Sequence, residues 1–274
     1  MTKTHAEPMP TATYPDLIDK VALITGGPQG IGAATAVALA ATGASVAVVG
    51  RISSCRAPRR SRDLAALERT VEAVTAQEAK ASGVVADCAV EEHLAALRDE
   101  VEVQLGAIDI LAVFADGNGM PVPTHSERST HWREVIETDL TSTFLTVSTF
   151  LPDMLARHCG VIITMTSAAA RQAVKSSAAY AAAKAGVVAF TRHLAGVYAH
   201  EGIRIKCIAP SAIESDRVRS WIPEEQRRVV AAAFPLGRLG QPEDIAAAAL
   251  FLASSASSWI TGVTLDVAGG KVML

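Results

Sequence analysis

Aromatic residues are scarce in this chain, at 4% of 274 residues, and neither sign of charge dominates it. The 25 lysines and arginines stand against 28 acidic residues, for a formal net charge of -3. Proteins that bind nucleic acid need a basic surface, and those that bind single strands add aromatic platforms for stacking. We therefore expect no nucleic-acid partner.

Cysteine and long apolar runs are also limited. No two cysteines form a C-x-x-C pair, and no apolar run reaches the roughly 18 residues of a membrane-spanning helix. The N-terminus lacks the apolar core of a secretory signal. We expect a cytoplasmic protein with reduced thiols, no metal site and no membrane contact; the cysteines are Cys55, Cys88, Cys159 and Cys207.

Half of the chain is apolar, which is enough for the core of one large domain. Short β-rich runs alternate with helical stretches, and these runs are apolar throughout, as in a parallel sheet covered by helices on both faces. We predict a single α/β domain with a doubly wound, Rossmann-type, seven-stranded parallel sheet. Its predicted strands are 21–25, 45–49, 83–87, 108–114, 160–167, 203–209 and 262–267.

The predicted domain covers residues 17–274, behind a flexible N-terminal lead of residues 1–16. The segment 210–235 departs from the strand–helix alternation, and we predict that it forms a lid over the active site. Within it, Trp221 and Ile222 face either the pocket or a neighbouring subunit.

A glycine-rich turn, TGGPQGIG at 25–32, follows the first predicted strand and leads into a helix. Glycine allows a close approach of the backbone, and the N-terminus of a helix offers free N–H groups to a pyrophosphate. The spacing differs from both the G-x-G-x-x-G dehydrogenase pattern and the P-loop. We predict a phosphate-bearing cofactor here, with cofactor-binding residues Gly26, Gln29, Gly30, Ile31 and Gly32.

The end of the second predicted strand indicates which dinucleotide binds. An acidic residue at this place holds the adenine ribose of NAD, but here the residue is Gly50, followed by Arg51. An adjacent guanidinium attracts a 2′-phosphate, so NADP(H) is the predicted cofactor and NAD(H) the alternative. The loop after it carries further arginines, which we interpret as a solvated basic loop: Arg56, Arg59, Arg60 and Arg62.

Tyr180 and Lys184 lie four residues apart in an alanine-rich helix, so both side chains project from one face. A nearby cation stabilises phenolate and lowers the pKa of a tyrosine from its usual value near 10, towards the range of general acid–base catalysis. Ser167, at the end of the fifth predicted strand, adds a hydroxyl that can orient a carbonyl. These three residues are the predicted catalytic group.

Residues 17–271 resemble the short-chain dehydrogenase/reductase family, in its 3-oxoacyl-carrier-protein reductase-like branch. The resemblance rests on the residues above, on APSAIES at 209–215 and on the segment 235–270. The resemblance implies hydride transfer between NAD(P) and a small carbonyl or alcohol, with Tyr180 as acid–base and Lys184 also on the ribose. It implies a homotetramer, which close packing of the alanine-rich helix would favour. It places further residues on the cofactor: Asp87 at the adenine, and Pro210, Ile213 and Ser215 along the nicotinamide.

The chain departs from the family pattern at several positions. Where the family usually has N-N-A-G after strand four, this chain has VFAD at 113–116. Where the family usually has an Asn in strand six, this chain has Lys206, and Ser211 replaces the usual Gly that follows the strand. Asp139 replaces the Asn that is the fourth catalytic member. We predict that Asp139 still serves the proton relay; the alternative is a carboxylate that bonds backbone inside a kinked helix.

We predict the reduction of a ketone to a secondary alcohol. The alternatives are an NAD-linked alcohol oxidation and a member that has drifted to a non-redox or regulatory role.

Overall fold

The computed structural model describes residues 13–51, 57–115, 117, 119–215, 218–219 and 223–273, with the side chains of all but residues 57–60. Seven strands form one parallel sheet in the order β3-β2-β1-β4-β5-β6-β7, which confirms the predicted doubly wound fold. The strands are β1 Val21–Thr25, β2 Ser45–Gly50, β3 Ala81–Val85, β4 Ile110–Val113, β5 Gly160–Met165, β6 Ile203–Pro210 and β7 Thr264–Val267.

Helices cover both faces of the sheet. They are α1 Gly30–Ala40, α2 Ala57–Thr75, α3 Glu91–Leu105, α4 Ser129–Ile136, α5 Ser142–Ala156, α6 Ala178–Tyr198, α7 Glu224–Ala231 and α8 Pro242–Ala253. One buried cluster joins α1, α2 and α8 to the sheet, and a second joins α3, α5 and α6. Ala22 and Ile24 of β1 belong to the first cluster and Val21 and Leu23 to the second, so both faces of the strand are apolar.

The strand order reverses between β1 and β4, which leaves a crevice at the carboxyl edge of the sheet. One hydroxyl holds the two strands together at this edge. Thr25 Oγ1 accepts hydrogen bonds from Phe114 N at 3.1 Å and Ala115 N at 3.2 Å. The two residues that follow β4 are therefore fixed beside the last residue of β1.

Several predicted strands are longer than the observed ones. Strand three lies two residues earlier than predicted, and β5 ends at Met165, so the prediction that Ser167 ends a strand is wrong. Ser167 instead begins the 3-10 turn Ala168–Ala170, where its Oγ accepts a hydrogen bond from Ala169 N at 3.2 Å. A serine side chain that bonds the backbone two residues on favours a turn over further strand.

The prediction of a basic loop over residues 51–62 is also wrong in part, because α2 already begins at Ala57. A proline is tolerated in the first turn of a helix, and arginine is a good helix former, so Pro58 and the arginines beyond it are compatible with this start. Arg62 is exposed on this helix, Arg56 lies outside the described residues, and the side chains of Arg59 and Arg60 are not described.

The part of the N-terminal lead that the structure describes contacts the domain. Asp16 Oδ2 accepts a hydrogen bond from Ser255 N at 2.7 Å, and Leu17 is buried. The boundary at residue 17 stays a prediction. Among the described helices, none is long and apolar enough to cross a membrane.

Lys206, one of the departures from the family pattern, is buried and caps the C-terminus of α8. Its Nζ donates to Leu252 O and Ser257 Oγ, both at 2.6 Å, and to Ser257 O at 3.2 Å. Arg204 donates to the same carbonyls and to Ala253 O. Cations are favoured at a helix C-terminus, but burial and the neighbouring Arg204 lower the pKa of Lys206 from 10.5 to about 7.

This lowered pKa predicts a pH-dependent stability. Unfolding restores the ordinary pKa of Lys206, so the unfolded chain binds more protons between about pH 7 and 10.5. The free energy of unfolding should rise with pH across this window, by up to about 1.4 kcal/mol per pH unit, and stay low below it. Lys206→Met should remove this rise in thermal melts from pH 6 to 10. The control is Lys80→Met, on an exposed lysine. A stability difference between wild type and Lys206→Met that does not change with pH would contradict the prediction.

Candidate active site

The glycine-rich turn connects β1 to α1 at the crevice. Gly26 has φ +68°, and a Cβ on it would lie 2.6 Å from Phe114 O, so only glycine fits. A Cβ on Gly32 would overlap Gly26 O. Helix α1 begins at Gly30, and Gln29 at its N-cap makes no side-chain capping bond. The first turn of α1 therefore receives no side-chain cap from Gln29, and N–H groups at such a helix start suit a pyrophosphate.

Of the residues predicted along the nicotinamide, Ser215 lies beside this turn. A Cβ on Gly30 would lie 3.6 Å from Ser215 Cβ, so the segment after β6 approaches the turn. Ile213 is buried in the core cluster beneath, and Pro210 is the buried last residue of β6. Ile31 packs partly buried against the same cluster, which gives it a packing role in the turn.

Arg51 and Asp87 meet at the ends of β2 and β3. The Arg51 guanidinium lies 3.9 Å from the Asp87 carboxylate, and the two side chains are 56% and 33% exposed. Asp87 Oδ1 also accepts a hydrogen bond from Ala89 N at 3.0 Å, which fixes the carboxylate in its turn. A long and exposed ion pair contributes little to stability, so Arg51 remains available to an anion.

Lys184 is buried at the centre of the predicted catalytic group, with 1% of its side chain exposed. Its Nζ lies 3.6 Å from Asp139 Oδ1, 3.4 Å from Met165 O and 5.5 Å from the centroid of the Tyr180 ring. The ammonium thus connects α6, the end of β5 and Asp139. A buried charge needs such partners, because burial without them is costly.

The helix that carries Tyr180 and Lys184 is fixed at its start. Ser177 caps α6 by accepting a hydrogen bond from Tyr180 N at 3.1 Å, and Thr166 Oγ1 donates to Lys184 O at 2.6 Å. Thr166 immediately precedes Ser167. The cap fixes the first turn of α6, and the Thr166 bond keeps the neighbour of Ser167 against the second turn.

Asp139 lies in a π-helical segment, Glu137–Thr141, between α4 and α5, and its side chain is fully buried. Such π-helical turns are common at functional sites. The Asp139 carboxylate accepts a hydrogen bond from Gly117 N at 2.6 Å, in addition to its contact with Lys184. The alternative interpretation expected Asp139 to bond backbone inside a kinked helix. A bond to backbone exists, but its donor is Gly117 in the loop after β4, and it occurs together with the Lys184 ion pair.

Sequence reasoning missed Gly117 and Gly119 of this loop. A Cβ on Gly117 would lie 2.8 Å from Asp139 Oδ2, and one on Gly119 would lie 3.2 Å from the ring atoms Cε1 and Cζ of Tyr180. The loop therefore passes so close to the Tyr180 ring that glycine, which has no side chain, is favoured at residue 119. The two glycines of the D-G-N-G stretch at 116–119 were the available signal.

The other departures are placed as follows. Val113 and Phe114 are buried in the core clusters, where the apolar side chains suit their surroundings, and Asp116 lies outside the described residues. Lys206 points to the end of α8 and makes no described contact with the catalytic group. Ser211 lines a cleft of about 180 Å³ with Ile213, Phe234 and Val267; neither Ser167 nor Tyr180 lines it.

The predicted lid is described only in part. Helix α7 lies within it, whereas Trp221 and Ile222 fall outside the described residues. No group of three or more potential metal ligands occurs among the residues that the structure describes.

Comparison with known proteins identifies the family. The family model described as "Enoyl-(Acyl carrier protein) reductase" matches residues 26–271. Cis-4-hydroxycyclohexanecarboxylate dehydrogenase of Sinomonas cyclohexanicum is 36% identical over 252 residues, which cover 92% of this chain and 96% of the relative. The chain belongs to the short-chain dehydrogenase/reductase family.

Solved structures of this family superpose closely on the chain. A 3-oxoacyl-[acyl-carrier protein] reductase from Brucella melitensis with bound NAD has a TM-score of 0.85 at 29% identity, covering 100% of this chain and 99% of that one. A variant of an actinorhodin polyketide ketoreductase with NADPH has a TM-score of 0.84 at 28% identity, covering 95% and 99%. The chain is an oxidoreductase of the short-chain family, in the 3-oxoacyl-carrier-protein reductase-like branch, and that family uses nicotinamide cofactors.

Proposed function

We propose that this protein reduces a ketone on a small molecule to a secondary alcohol with NADPH, using Tyr180 as the general acid. The observation that carries the proposal is the buried Lys184 ammonium, held by Asp139 and Met165 O below the Tyr180 ring. A cationic group at this place favours loss of the tyrosine proton to a substrate oxygen.

Each member of the group has one role in the proposed reaction. The nicotinamide supplies the hydride when the cofactor is bound. The Tyr180 hydroxyl donates its proton to the carbonyl oxygen as negative charge develops there, and the Ser167 hydroxyl holds that oxygen by a hydrogen bond. Lys184 stabilises the phenolate that remains and would hold the cofactor ribose. Asp139 positions the Lys184 ammonium and the loop that covers Tyr180.

The remaining cofactor residues would line the crevice around this group. The first turn of α1 would bind the pyrophosphate through its N–H groups, and Asp87 would lie at the adenine. Pro210, Ile213 and Ser215 would lie along the nicotinamide, in agreement with the approach of Ser215 to Gly30. NAD-linked alcohol oxidation is the second candidate function, favoured by the similarity to the dehydrogenase of Sinomonas cyclohexanicum and to an NAD-bound structure.

We also propose that the protein is cytoplasmic and forms a homotetramer through two separate apolar surfaces. On one surface the rings of Phe144 (α5) and Phe190 (α6) pack edge to face, and Phe144 is 50% exposed. We assign the other surface to the exposed apolar residues that flank β7 in the chain, Trp259, Val263 and Met273, of which Trp259 is fully exposed. Some alanines of α6 pack inside the subunit and others are exposed for contact with a neighbouring subunit. Ala179 and Ala183 are buried, and Ala182 and Ala185 are exposed.

Tyr180→Phe tests the mechanism. Loss of the hydroxyl should lower turnover of ketones with NADPH by about 10²- to 10⁴-fold, because the acid catalyst is gone. The affinity for NADP(H), measured by calorimetric titration, should stay unchanged. Tyr198→Phe at the other end of α6 is the matched control and should keep full activity. Full activity in Tyr180→Phe would defeat the mechanism.

Asp139→Asn tests the positioning role. Asparagine keeps an oxygen that can accept the Gly117 N–H but removes the charge that balances Lys184. The variant should stay active, and its pH profile for alcohol oxidation should move to lower pH, because the unbalanced ammonium favours phenolate. A profile that superposes on that of wild type would show that the carboxylate has only a structural role.

Cofactor choice is tested by titration with NADP(H) and NAD(H). Because no carboxylate follows β2 and Arg51 offers a charge-assisted bond, NADP(H) should bind at least about tenfold tighter, or about 1.4 kcal/mol. Arg51→Ala should remove most of this difference, whereas Arg62→Ala on α2 should not. Equal affinities in wild type, or an Arg51→Ala variant that still prefers NADP(H), would refute the preference.

Assembly is tested by light scattering at micromolar concentration. The scattering mass should be four times the chain mass of 28.5 kDa. Phe144→Asp should reduce it to a dimer, since a charge on one apolar surface leaves the other intact. A wild-type monomer would contradict the tetramer.

A further inference from the structure

Pro28, the central residue of the glycine-rich turn, packs directly on Gly50 at the end of β2. A Cβ built on Gly50 would lie 2.5 Å from Pro28 Cγ and 3.4 Å from its Cδ. Real side chains do not approach this closely, because repulsion rises steeply below van der Waals contact. The pyrrolidine ring therefore occupies the space that a side chain at residue 50 would need.

Gly50 has no other local reason to be glycine. Its φ is not among the positive glycine values, so its backbone conformation is open to any residue. The three heavy atoms nearest to the added Cβ all belong to the Pro28 ring. Pro28 is thus the obstacle to a side chain at this position.

The turn that carries Pro28 is fixed on two sides. Gly27 N donates a hydrogen bond to Val49 O at 3.1 Å, which joins the turn to β2. Thr70 Oγ1 on α2 donates to Pro28 O at 3.0 Å. Movement of the Pro28 ring away from Gly50 would stretch these two hydrogen bonds.

We propose that Pro28 is a specificity-determining residue for the cofactor, because it sterically keeps residue 50 free of the carboxylate that would hold the 2′-hydroxyl of an NAD ribose. This inference rests on the proposed function, in which a nicotinamide dinucleotide binds in the crevice. A carboxylate at this position would select NAD and repel a 2′-phosphate. Pro28 thereby leaves the ribose end of the site to Arg51, one residue further on.

The first test uses the cofactor-free protein and a double-mutant cycle. Gly50→Ala should lower the melting temperature by about 2–10 °C, because it overpacks the turn. Pro28→Ala removes the clashing Cγ, so in that background Gly50→Ala should cost much less. The matched control is Gly196→Ala, where an added Cβ meets nothing within 4 Å and should cause no loss. Additive effects of Pro28→Ala and Gly50→Ala would overturn the steric coupling.

The second test measures binding of NAD and NADP by calorimetry. Gly50→Asp in the Pro28→Ala background should bind NAD at least about tenfold tighter than Pro28→Ala alone and should weaken NADP. Gly50→Asp with Pro28 retained should gain no NAD affinity, or should fail to fold. An equal gain of NAD affinity in both backgrounds would overturn the proposal, as would no gain in either when both proteins fold. If neither Asp variant folds, the melting temperatures of the alanine cycle decide.

The outcomes distinguish this inference from the proposed function. A wild-type protein that prefers NAD would refute the proposed cofactor while leaving the Pro28–Gly50 coupling visible in the melting temperatures. A clear NADP preference with additive alanine effects would refute the role of Pro28 and leave the proposed function intact.

Discussion

The arrangement of the site depends on one buried charge. The Lys184 ammonium is almost wholly removed from solvent, so its neighbours must provide negative charge or acceptors. They come from three different parts of the chain: the Asp139 carboxylate in the π-helical segment, Met165 O at the end of β5, and the ring of Tyr180 one turn earlier on α6. The contacts of this ammonium group join α6, β5 and the segment between α4 and α5.

A comparison of the two buried lysines shows how the same charge is accommodated in different ways. Lys206 is surrounded by the carbonyls and hydroxyl at the end of α8, with the cationic Arg204 beside it, and burial lowers its pKa. Lys184 has a carboxylate at 3.6 Å, which favours the charged form. The lysine of the predicted catalytic group is therefore the one that has a counter-ion.

The fold could be predicted from the sequence, and so could those residues of the candidate site that local patterns identify. Apolar runs at regular spacing identified all seven strands, and the glycine turn and the Tyr180–Lys184 spacing identified residues that the structure brings to one edge. Strand ends were less predictable, since the Ser167 turn depends on a hydrogen bond two residues away. The contact of Asp139 with Gly117 and the packing of Pro28 on Gly50 join residues 22 apart in the chain, and no short-range pattern reports such contacts. The start of α2 at Ala57 was missed because an arginine-rich stretch suits a loop or a helix equally well.

The junction of β1 with β4 has a consequence for how the protein folds. Val21 N donates to Asp109 Oδ2 across 88 residues, and this junction unites the two halves of the sheet. Closing so long a loop costs entropy before the contact is made, which makes such pairings slow steps. The crevice lies at this junction, so neither half of the chain contains it by itself. During synthesis, the crevice cannot form until the fourth strand has emerged, and α6 and the segment after β6 emerge later still. A nascent chain therefore gains the full stabilisation from its cofactor only near the end of synthesis.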